Sequence, residues 1–301
     1  MKTPLVLFAF KRPDKLKKLL ACLTKTPFSQ AYIFCDGPRH EDDQVACQAT
    51  QALAKKYAES YPIQVVISKQ NLGLSKNLIE GISTVLEKHP RVIVFEDDVH
   101  PKPGCLDYLE NALELYKERK DIFSIGCYHR PISLDSYQDN VLLSPRFNCW
   151  GWATWADRWQ QIQQDMKQQK LPYRYFYQVP EIAGIDIPLR MRHHHLHGKT
   201  LTWDTLVALH CLKNNWWQLQ PRDILIENVG FDGTGTNCGS TGGKDCFDSN
   251  YQQETYSKLS HSLQSDPTVI KAVEDSYADP KLTPFRRWRR KWQYRLQMLF
   301  K

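Results

Sequence analysis

Short apolar runs alternate with stretches of helical character through the first hundred residues. Four runs have the length of buried strands: residues 4–10, 31–35, 63–68 and 91–95. Helices are predicted between them, at 13–23 from leucines spaced three and four positions apart, at 42–61 from composition, and at 71–87 from a second apolar face. Strands that alternate with helices predict an α/β fold with a mainly parallel, doubly wound sheet.

The regular alternation fades in the second half. Pro103 opens one more amphipathic helix, and residues 122–127 form a further strand candidate. Residues 128–250 mix short strands with loops and contain an aromatic block at 147–159 that holds four of the nine tryptophans. No repeat or disordered linker separates the halves, so we expect one continuous structure whose irregular second half lays loops over the first.

Positive charge is concentrated at the C-terminus. The chain has 40 Lys and Arg against 33 Asp and Glu, and seven of the basic residues lie in residues 285–301, which contain no acid. On a helix, five apolar residues of this tail would share one face ringed by basic side chains: Phe285, Trp288, Trp292, Leu296 and Leu299. The pattern is typical of an interfacial helix on an anionic membrane. Nucleic acid is disfavoured because the rest of the chain is neutral, and a helix that docks on the protein is the third alternative.

The cysteines and the N-terminus predict a cytoplasmic protein. Nine cysteines occur without a CxxC pair or zinc-finger spacing, so we expect reduced, mostly buried thiols. The N-terminal apolar run has seven residues before Lys11 and Arg12, too few for a signal peptide. No segment approaches the roughly twenty apolar residues of a membrane span. With the basic tail, this predicts a peripheral protein on the inner face of the membrane.

Three carboxylates follow the fourth predicted strand, at Glu96, Asp97 and Asp98. We call them the acid row. Ligands of open α/β sheets bind beyond the carboxyl ends of the strands, so the acid row lies where chemistry is expected. Adjacent acids repel one another, and a hard divalent cation shared with a substrate's phosphates would offset that repulsion. The row therefore indicates a metal–diphosphate site, with a solvated turn as the alternative.

Other polar residues near the predicted strand ends are weaker candidates. Lys11 and Arg12 could meet a nucleotide's phosphates or base, although an arginine at a strand end is commonly a surface residue. Asp36 could accept hydrogen bonds from a base or ribose, although Asp before Gly commonly forms a turn. Lys76 lies at a helix start that could meet an anion. The alternative there is that Asn71 merely caps the helix.

Three further patterns carry no function by themselves. The glycine-rich residues 232–245 lack the dinucleotide and P-loop spacings, which leaves a flap near the site or a surface loop. The histidines within 193–197 lack the spacing of a zinc-binding helix, which favours a solvated or structural role. Asp204 begins a predicted helix, where an aspartate is commonly a cap.

Six short motifs occur in order along the chain. They are FAFKRP at 8–13, FCDG at 34–37, VIVFEDDVHPKPGCLDYL at 92–109, NCWGWATW at 148–155, TWD at 202–204 and NVGFDGTGTNC at 228–238. The ordered set resembles family 2-like glycosyltransferases of the GT-A fold, specifically the subgroup related to N-acetylglucosaminyltransferase I. The resemblance covers residues 5–238, and the acid row stands at the family's DXD motif.

The resemblance implies donor-side roles for six residues, one of them a metal ligand. Arg12 and Asp36 correspond to donor-nucleotide contacts, and Lys76 is a further donor contact that differs from the best-known members. Glu96 and Asp97 correspond to ribose and sugar contacts. Asp98 corresponds to the carboxylate that holds Mn²⁺, or Mg²⁺, on the diphosphate.

On the acceptor side, the resemblance implies that Asp204 is the general base. Gly151 and Trp152 fall at a Gly-Trp turn that the family places near the donor sugar and the acceptor. The extra tryptophans of WGWATW depart from the family pattern, so the acceptor is not identified.

The resemblance therefore implies a metal-dependent inverting glycosyltransferase. It would move a hexosyl or N-acetylhexosaminyl group from a nucleoside-diphosphate donor, with UDP favoured, to a glycan or lipid-linked acceptor at the membrane. The expected organisation is a nucleotide-sugar half at 1–110, an acceptor half at 111–250, a helical segment at 251–284 and the tail at 285–301. The alternatives are a nucleotidyltransferase and a non-catalytic membrane protein that binds sugar nucleotides.

Overall fold

The computed structural model describes residues 2–134, 137–168, 181–198, 201–232 and 259–278. Its strands are β1 Leu5–Ala9, β2 Ala31–Cys35, β3 Ile63–Ile67, β4 Arg91–Glu96, β5 Val99–Pro101, β6 Ile122–Gly126, β7 Val141–Ser144, β8 Trp152–Trp155, β9 Trp217–Pro221 and β10 Ile226–Asn228. Its α-helices are α1 Pro13–Leu23, α2 Gln44–Ala58, α3 Leu74–Leu86, α4 Cys105–Leu115, α5 Ala156–Gln168, α6 Asp186–His197, α7 Trp203–Lys213 and α8 Pro267–Ser276. Two short 3-10 turns lie at Glu41–Asp43 and Glu181–Ala183.

Eight strands form one sheet in the order β3-β2-β1-β4-β8-β6-β9-β7. The first four pair in parallel, as do β6 and β9, whereas β8 and β7 run opposite to their neighbours. The mainly parallel sheet predicted from the apolar runs is therefore confirmed. A separate antiparallel pair, β5 and β10, lies beyond the end of β4.

Helices cover both faces of the large sheet. On one face α1 and α4 bury their leucines against β1, β2 and β4. On the other face α3, α5, α6 and α7 pack around a cluster of aromatic side chains from β8 and the segment before it. This two-sided arrangement is the doubly wound architecture that the alternating pattern predicts.

The aromatic block of the second half forms a central strand. β8 lies between β4 and β6 and is antiparallel to both, and its four residues are buried. The sequence gives no alternation there because all four residues are covered on both sides of the sheet. The second half thus completes the sheet and also extends over it.

Three strands end together at one edge of the sheet. Ala9 lies beside Cys35, and Phe8 lies beside Glu96. The pairing continues past the strands, since Asp36 N–H donates to the Ala9 carbonyl at 2.9 Å and Asp97 N–H donates to the Phe8 carbonyl at 3.0 Å. Polar residues that follow β1, β2 and β4 are thereby brought to one place.

Among the described residues, no helix combines the length and the apolar character that crossing a bilayer requires. The tail at 285–301 and the glycine-rich residues 233–245 lie outside the described residues. The described part of the C-terminal segment contains α8, whose Val269 and Val273 pack against Tyr137 and Leu142.

Gly151 occupies a position that leaves no room for a side chain. Its φ is +65°, and a Cβ there would lie 2.9 Å from Phe95 Cε1 and 3.0 Å from Ile226 Cγ2. Its carbonyl accepts a hydrogen bond from Cys127 N–H at 2.8 Å. Glycine satisfies both the left-handed backbone and the close approach to β4 and β10.

We expect Gly151→Ala to lower the free energy of unfolding by about 2–4 kcal/mol, because left-handed strain and overpacking add. Gly104→Ala is the matched control, since Gly104 has φ +79° and no atom within 4 Å of the added Cβ. That control should lose only about 1–2 kcal/mol. Denaturant unfolding measures both variants, and equal losses would contradict the packing argument.

Candidate active site

A single guanidinium binds two of the three acids in the row. Arg12 donates to the Asp97 carboxylate through Nη2 and through Nε, the latter at 3.3 Å. Its Nη1 lies 2.8 Å from Asp98 Oδ2. Asp97 is buried, and an unpaired buried charge would be strongly destabilising. This pairing was not foreseen from the sequence, and the contact of Arg12 with a nucleotide stays a prediction.

Burial and mutual repulsion disfavour the negative charge of the acid row. Burial, together with the charges of Asp98 and Asp97, raises the pKa of Glu96 well above its ordinary value. Burial raises the pKa of Asp97 to about 6, although Arg12 opposes the shift. Burial also disfavours the charge of Arg12, but Asp97 and Asp98 outweigh it and raise the pKa of the guanidinium. Arg12 therefore offsets part of the repulsion within the row.

The other cation after β1 is also paired with an acid. Lys11 Nζ lies 2.5 Å from Asp43 Oδ1, and Arg39 Nε lies 3.2 Å from Asp43 Oδ2. The hydrogen bond from Lys11 is the largest cause that lowers the pKa of Asp43 to about 2. Arg39 and Lys11 lie 4.9 and 5.7 Å from the centroid of the Phe10 ring. A basic, aromatic corner therefore forms where β1 and β2 end.

Asp36 fixes the loop between β3 and α3. Its carboxylate accepts hydrogen bonds from the N–H groups of Gly37, Leu72 and Gly73 at 2.9, 2.8 and 3.0 Å, and from Asn71 Nδ2 at 3.1 Å. A carboxylate offers about four acceptor sites, so the chain's own donors fill this one. A base or ribose that binds Asp36 would have to displace one of them.

The start of α3 differs from the sequence prediction. Asn71 does not cap the helix, because its amide donates to Asp36 and to the Gly37 carbonyl. Gly73, with φ +77°, precedes the first helical residue instead. Lys76 lies in the first turn, is 59% exposed and has its ammonium 3.9 Å from Glu80. It faces solvent, and its contact with a donor stays a prediction.

The segment that leads into the glycine-rich residues lies against Asp98. Val229 N–H donates to the Asp98 carbonyl at 2.9 Å. A Cβ on Gly230 would lie 2.5 Å from Asp98 Oδ2, so only glycine permits this approach. Lys15 Nζ donates to the Val229 carbonyl at 2.9 Å and to Asp232 Oδ1 at 3.0 Å. The described start of this segment is therefore held beside the acid row.

The donor set at Asp98 fits a cation that is shared with a substrate. Asp98 is 14% exposed and offers carboxylate oxygens, of which Oδ2 contacts Arg12. Within the described ranges, no group of three or more His, Cys, Asp and Glu side chains could hold an ion by itself. Small divalent cations are commonly bound by one or two carboxylates plus substrate phosphates. The residues thus suit a metal–diphosphate complex better than a resident metal ion.

Asp204 lies in the first turn of α7, and its side chain is 30% exposed. After burial, its charge is the next cause that raises the pKa of the Cys149 thiol. It also adds to the rise at Glu96, which burial dominates. Asp204 therefore shares an electrostatic environment with the acid row. Further along the same helix, Leu206, Val207, Leu209 and His210 are buried.

Trp152 packs against the start of α7. It is fully buried, and its ring stacks on Trp203 at a centroid distance of 5.9 Å. The ring of Phe147 meets it edge-on at 5.1 Å. Because Trp203 immediately precedes Asp204, this stack places the candidate base. A direct contact of Trp152 with sugar or acceptor would require the stack to open.

The tryptophan closer to the surface of the site is Trp150, which is half-buried. Its ring lies 4.4 Å from that of Tyr128 and 5.7 Å from that of Phe231. Phe231 follows Gly230, which contacts Asp98. One of the extra tryptophans of WGWATW therefore packs against the segment that contacts Asp98.

Two buried glutamines of β9, which the sequence did not single out, hold the segment before β8. Gln218 Oε1 accepts a hydrogen bond from Asn148 N–H at 2.8 Å, and its Nε2 donates to the Asn148 carbonyl at 3.0 Å. Gln220 Nε2 donates to the Arg146 carbonyl at 3.0 Å. Their spacing of two in a strand places both on one face, which is the signal that could have found them.

The end of α8 is tied to the same segment. Tyr277 donates a hydrogen bond to Asn148 Oδ1 at 3.0 Å, and its ring lies 4.1 Å from the guanidinium carbon of Arg146. Buried Arg146 also binds Asp186 at 2.7 and 3.0 Å. This contact links the C-terminal helix and α6 to the backbone that leads to Gly151.

The described histidines of the 193–197 tract lie on α6. His193 and His197 are exposed, one turn apart, with ring centroids separated by 5.8 Å. Their exposure agrees with a solvated role.

Residues 41–183 match the family model described as Glycosyl transferase family 2. The match includes the acid row and the Gly-Trp turn, and it lies between Asp36 and Asp204. It supports a glycosyltransferase with a family 2-like α/β fold. No curated protein matches the sequence significantly.

Several solved structures show weak similarity. Apo GlyE, a glycosyltransferase of Streptococcus pneumoniae TIGR4, is 9% identical with a TM-score of 0.36, and the match covers 72% of this chain and 45% of that one. Apo mouse xyloside xylosyltransferase 1 is 9% identical with a TM-score of 0.39, covering 72% and 84%. UTP-bound UGPase from Acinetobacter baumannii is 11% identical with a TM-score of 0.38, covering 73% and 86%. These scores lie below 0.5, so the three structures carry no argument about function here, and the chain spans less than half the length of GlyE.

Proposed function

We propose that this protein is a metal-dependent inverting glycosyltransferase that uses a nucleoside-diphosphate sugar, with UDP as the favoured nucleotide. The single observation that carries the proposal is the shared environment of Asp204 and the acid row. Burial is the largest cause that raises the pKa values of Glu96 and of the Cys149 thiol, and the charges of Asp204 and Asp98 each add to both shifts. A base and a metal-binding carboxylate on opposite sides of one site are what direct sugar transfer requires.

On the donor side, Asp98 would hold Mn²⁺ or Mg²⁺ together with the diphosphate. When bound, such a cation neutralises the negative charge that develops on the leaving diphosphate. Arg12 keeps Asp97 and Asp98 together and partly compensated, as its contacts with both indicate. Glu96 and Asp97 are proposed to contact ribose and sugar.

Further donor and sugar contacts are proposed from the family resemblance. Asp36 and Lys76 would contribute on the nucleotide side. The transferred group would be a hexosyl or N-acetylhexosaminyl unit, as the resemblance to the N-acetylglucosaminyltransferase I subgroup implies.

On the acceptor side, Asp204 would take the proton from the attacking hydroxyl. Its partial exposure leaves a carboxylate oxygen accessible to an acceptor. A hydroxyl that attacks the anomeric carbon directly, opposite the leaving diphosphate, inverts its configuration, by analogy with the geometry of inverting glycosidases. Trp150 and Phe231 supply aromatic surface beside the acid row.

The acceptor is proposed to be a glycan or lipid-linked molecule at the inner face of a membrane. The support is the sequence of residues 285–301, with seven basic residues, no acid and two tryptophans. Each basic residue near an anionic surface contributes roughly 1 kcal/mol of attraction.

We expect Asp204→Asn to lower kcat by about 10²–10⁴-fold, because an amide cannot accept the acceptor's proton. Donor affinity should stay within about twofold, since the loss is confined to the transition state. Asp157→Asn is the matched control, because Asp157 is likewise the second residue of a helix and is partly exposed. Steady-state kinetics and calorimetric donor binding measure both effects.

Turnover by Asp204→Asn at the wild-type rate would exclude Asp204 as the base. The released product separates the rival activities. A nucleoside diphosphate supports sugar transfer, whereas pyrophosphate would indicate a nucleotidyltransferase. Donor binding without transfer to any of a panel of acceptors would indicate a non-catalytic binding protein.

For the membrane proposal, we expect a chain truncated after Pro284 to stop sedimenting with vesicles that contain anionic phosphatidylglycerol. The full chain should sediment with these vesicles, and less so at high salt, because surface electrostatics are screened. Circular dichroism checks that the shortened chain stays folded. Unchanged sedimentation of the truncated chain would contradict a membrane role for the tail.

A further inference from the structure

Arg190 is an exposed arginine that lies between two carboxylates of neighbouring helices. Its Nη1 lies 3.9 Å from Asp204 Oδ2, and its Nε lies 3.6 Å from Asp186 Oδ2. Nη1 also donates a hydrogen bond to Thr205 Oγ1 at 3.2 Å. We infer that Arg190 is a positioning residue for Asp204 that holds its carboxylate in place. The inference rests on the proposed role of Asp204 as the base.

Arg190 lies beside Asp186, a carboxylate that is itself held in place. Buried Arg146 binds both oxygens of Asp186 through hydrogen bonds of 2.7 and 3.0 Å and also donates to the Ala183 carbonyl at 3.0 Å. Asp186 lies four positions before Arg190 on α6. The guanidinium of Arg190 is therefore positioned by a carboxylate that Arg146 itself holds in place. From α6 it reaches Asp204 and Thr205 on α7.

The distance between Arg190 and Asp204 suits a base that must still react. Arg146 and Asp186 form a close pair with two hydrogen bonds, which occupies both carboxylate oxygens. At 3.9 Å, Arg190 instead makes an ion pair that occupies neither oxygen of Asp204 with a hydrogen bond. The carboxylate therefore keeps its acceptor sites for the proton of a hydroxyl.

The charges around Asp204 explain why it needs such a partner. Glu96 faces it from the end of β4, Cys149 and Arg146 face it from the segment before β8, and Arg190 faces it from α6. Arg146 is already committed to Asp186. Removal of Arg190 would take away the guanidinium that lies beside Asp204 from α6.

The guanidinium of Arg190 supplies both a positive charge and a fork of donors to this arrangement. Lysine would restore the charge, but its single ammonium cannot reproduce the forked contacts to Asp186, Asp204 and Thr205.

The test compares Arg190→Gln and Arg190→Lys with the wild-type protein. The control is Lys271→Gln, which removes one positive charge from an exposed pair with Asp275 that has the same four-residue spacing, on α8. Arg190→Gln should lower kcat by about 10–100-fold. Donor dissociation constants should stay within about twofold. Arg190→Lys should restore part of kcat, and Lys271→Gln should change neither kcat nor donor affinity.

Two outcomes would overturn the inference. One is a loss of kcat in Arg190→Gln that Arg190→Lys does not relieve at all. The other is a kcat within twofold of wild type in a variant that binds donor normally. Arg190 is 47% exposed, so both variants should fold, and thermal melting checks this.

A double variant separates failure of this inference from failure of the proposed function. If Asp204 is the base and Arg190 acts through it, Arg190→Gln should cause no further loss in the Asp204→Asn background. A full additional loss there would mean that Arg190 acts elsewhere, while Asp204 could still be the base. Wild-type turnover by Asp204→Asn alone would remove the base and this inference with it.

Discussion

A charged group that leaves water needs hydrogen-bond partners or an opposite charge, and this requirement organises the edge of the sheet where the candidate site lies. Asp97 is buried after β4, and Arg12 from the end of β1 binds both it and Asp98. Buried Arg146 is in turn paired with Asp186. A charge left alone in such a place is strongly destabilising. Each pair therefore fixes the relative position of two chain segments that are distant in sequence.

The same pairing limits how ligands can bind. With Arg12 on Asp98, the acid row is not an open cage for a metal ion, and the described residues contain no three-ligand group elsewhere. A cation that brings its own phosphate ligands needs only one or two protein carboxylates. The looser contact of Arg190 with Asp204 applies the same principle to a carboxylate that has to stay reactive.

Local patterns in the sequence were sufficient for the first half of the fold. The strands β1 to β4, the helices between them and the acids after β4 all follow from apolar runs and their ends, because parallel strands deliver their C-terminal residues to one edge. The roles of Asp36, Asp43 and Gln218 were not predictable in this way. Each depends on partners brought near by tertiary packing, and a single sequence does not reveal which distant groups will meet.

The second half shows the same limit at the level of a whole strand. β8 has four buried residues and pairs with β4 and β6, which both precede it in the chain and are distant from it in sequence. Its central position in the sheet depends on these long-range hydrogen bonds and on the close approach at Gly151. Neither can be recognised from the periodicity of the sequence. The motif around β8 lies beside the candidate base, since Trp152 stacks on Trp203, the neighbour of Asp204.

The central claim is that the acid row holds a divalent cation together with the diphosphate of an activated sugar. Calorimetric titration of a nucleoside diphosphate with and without Mn²⁺, in the wild-type protein and in Asp98→Ala, tests it most directly. The account predicts that Mn²⁺ tightens binding about tenfold or more in the wild-type protein and has little effect in the variant. Equal tightening in both proteins, or none in the wild type, would contradict it.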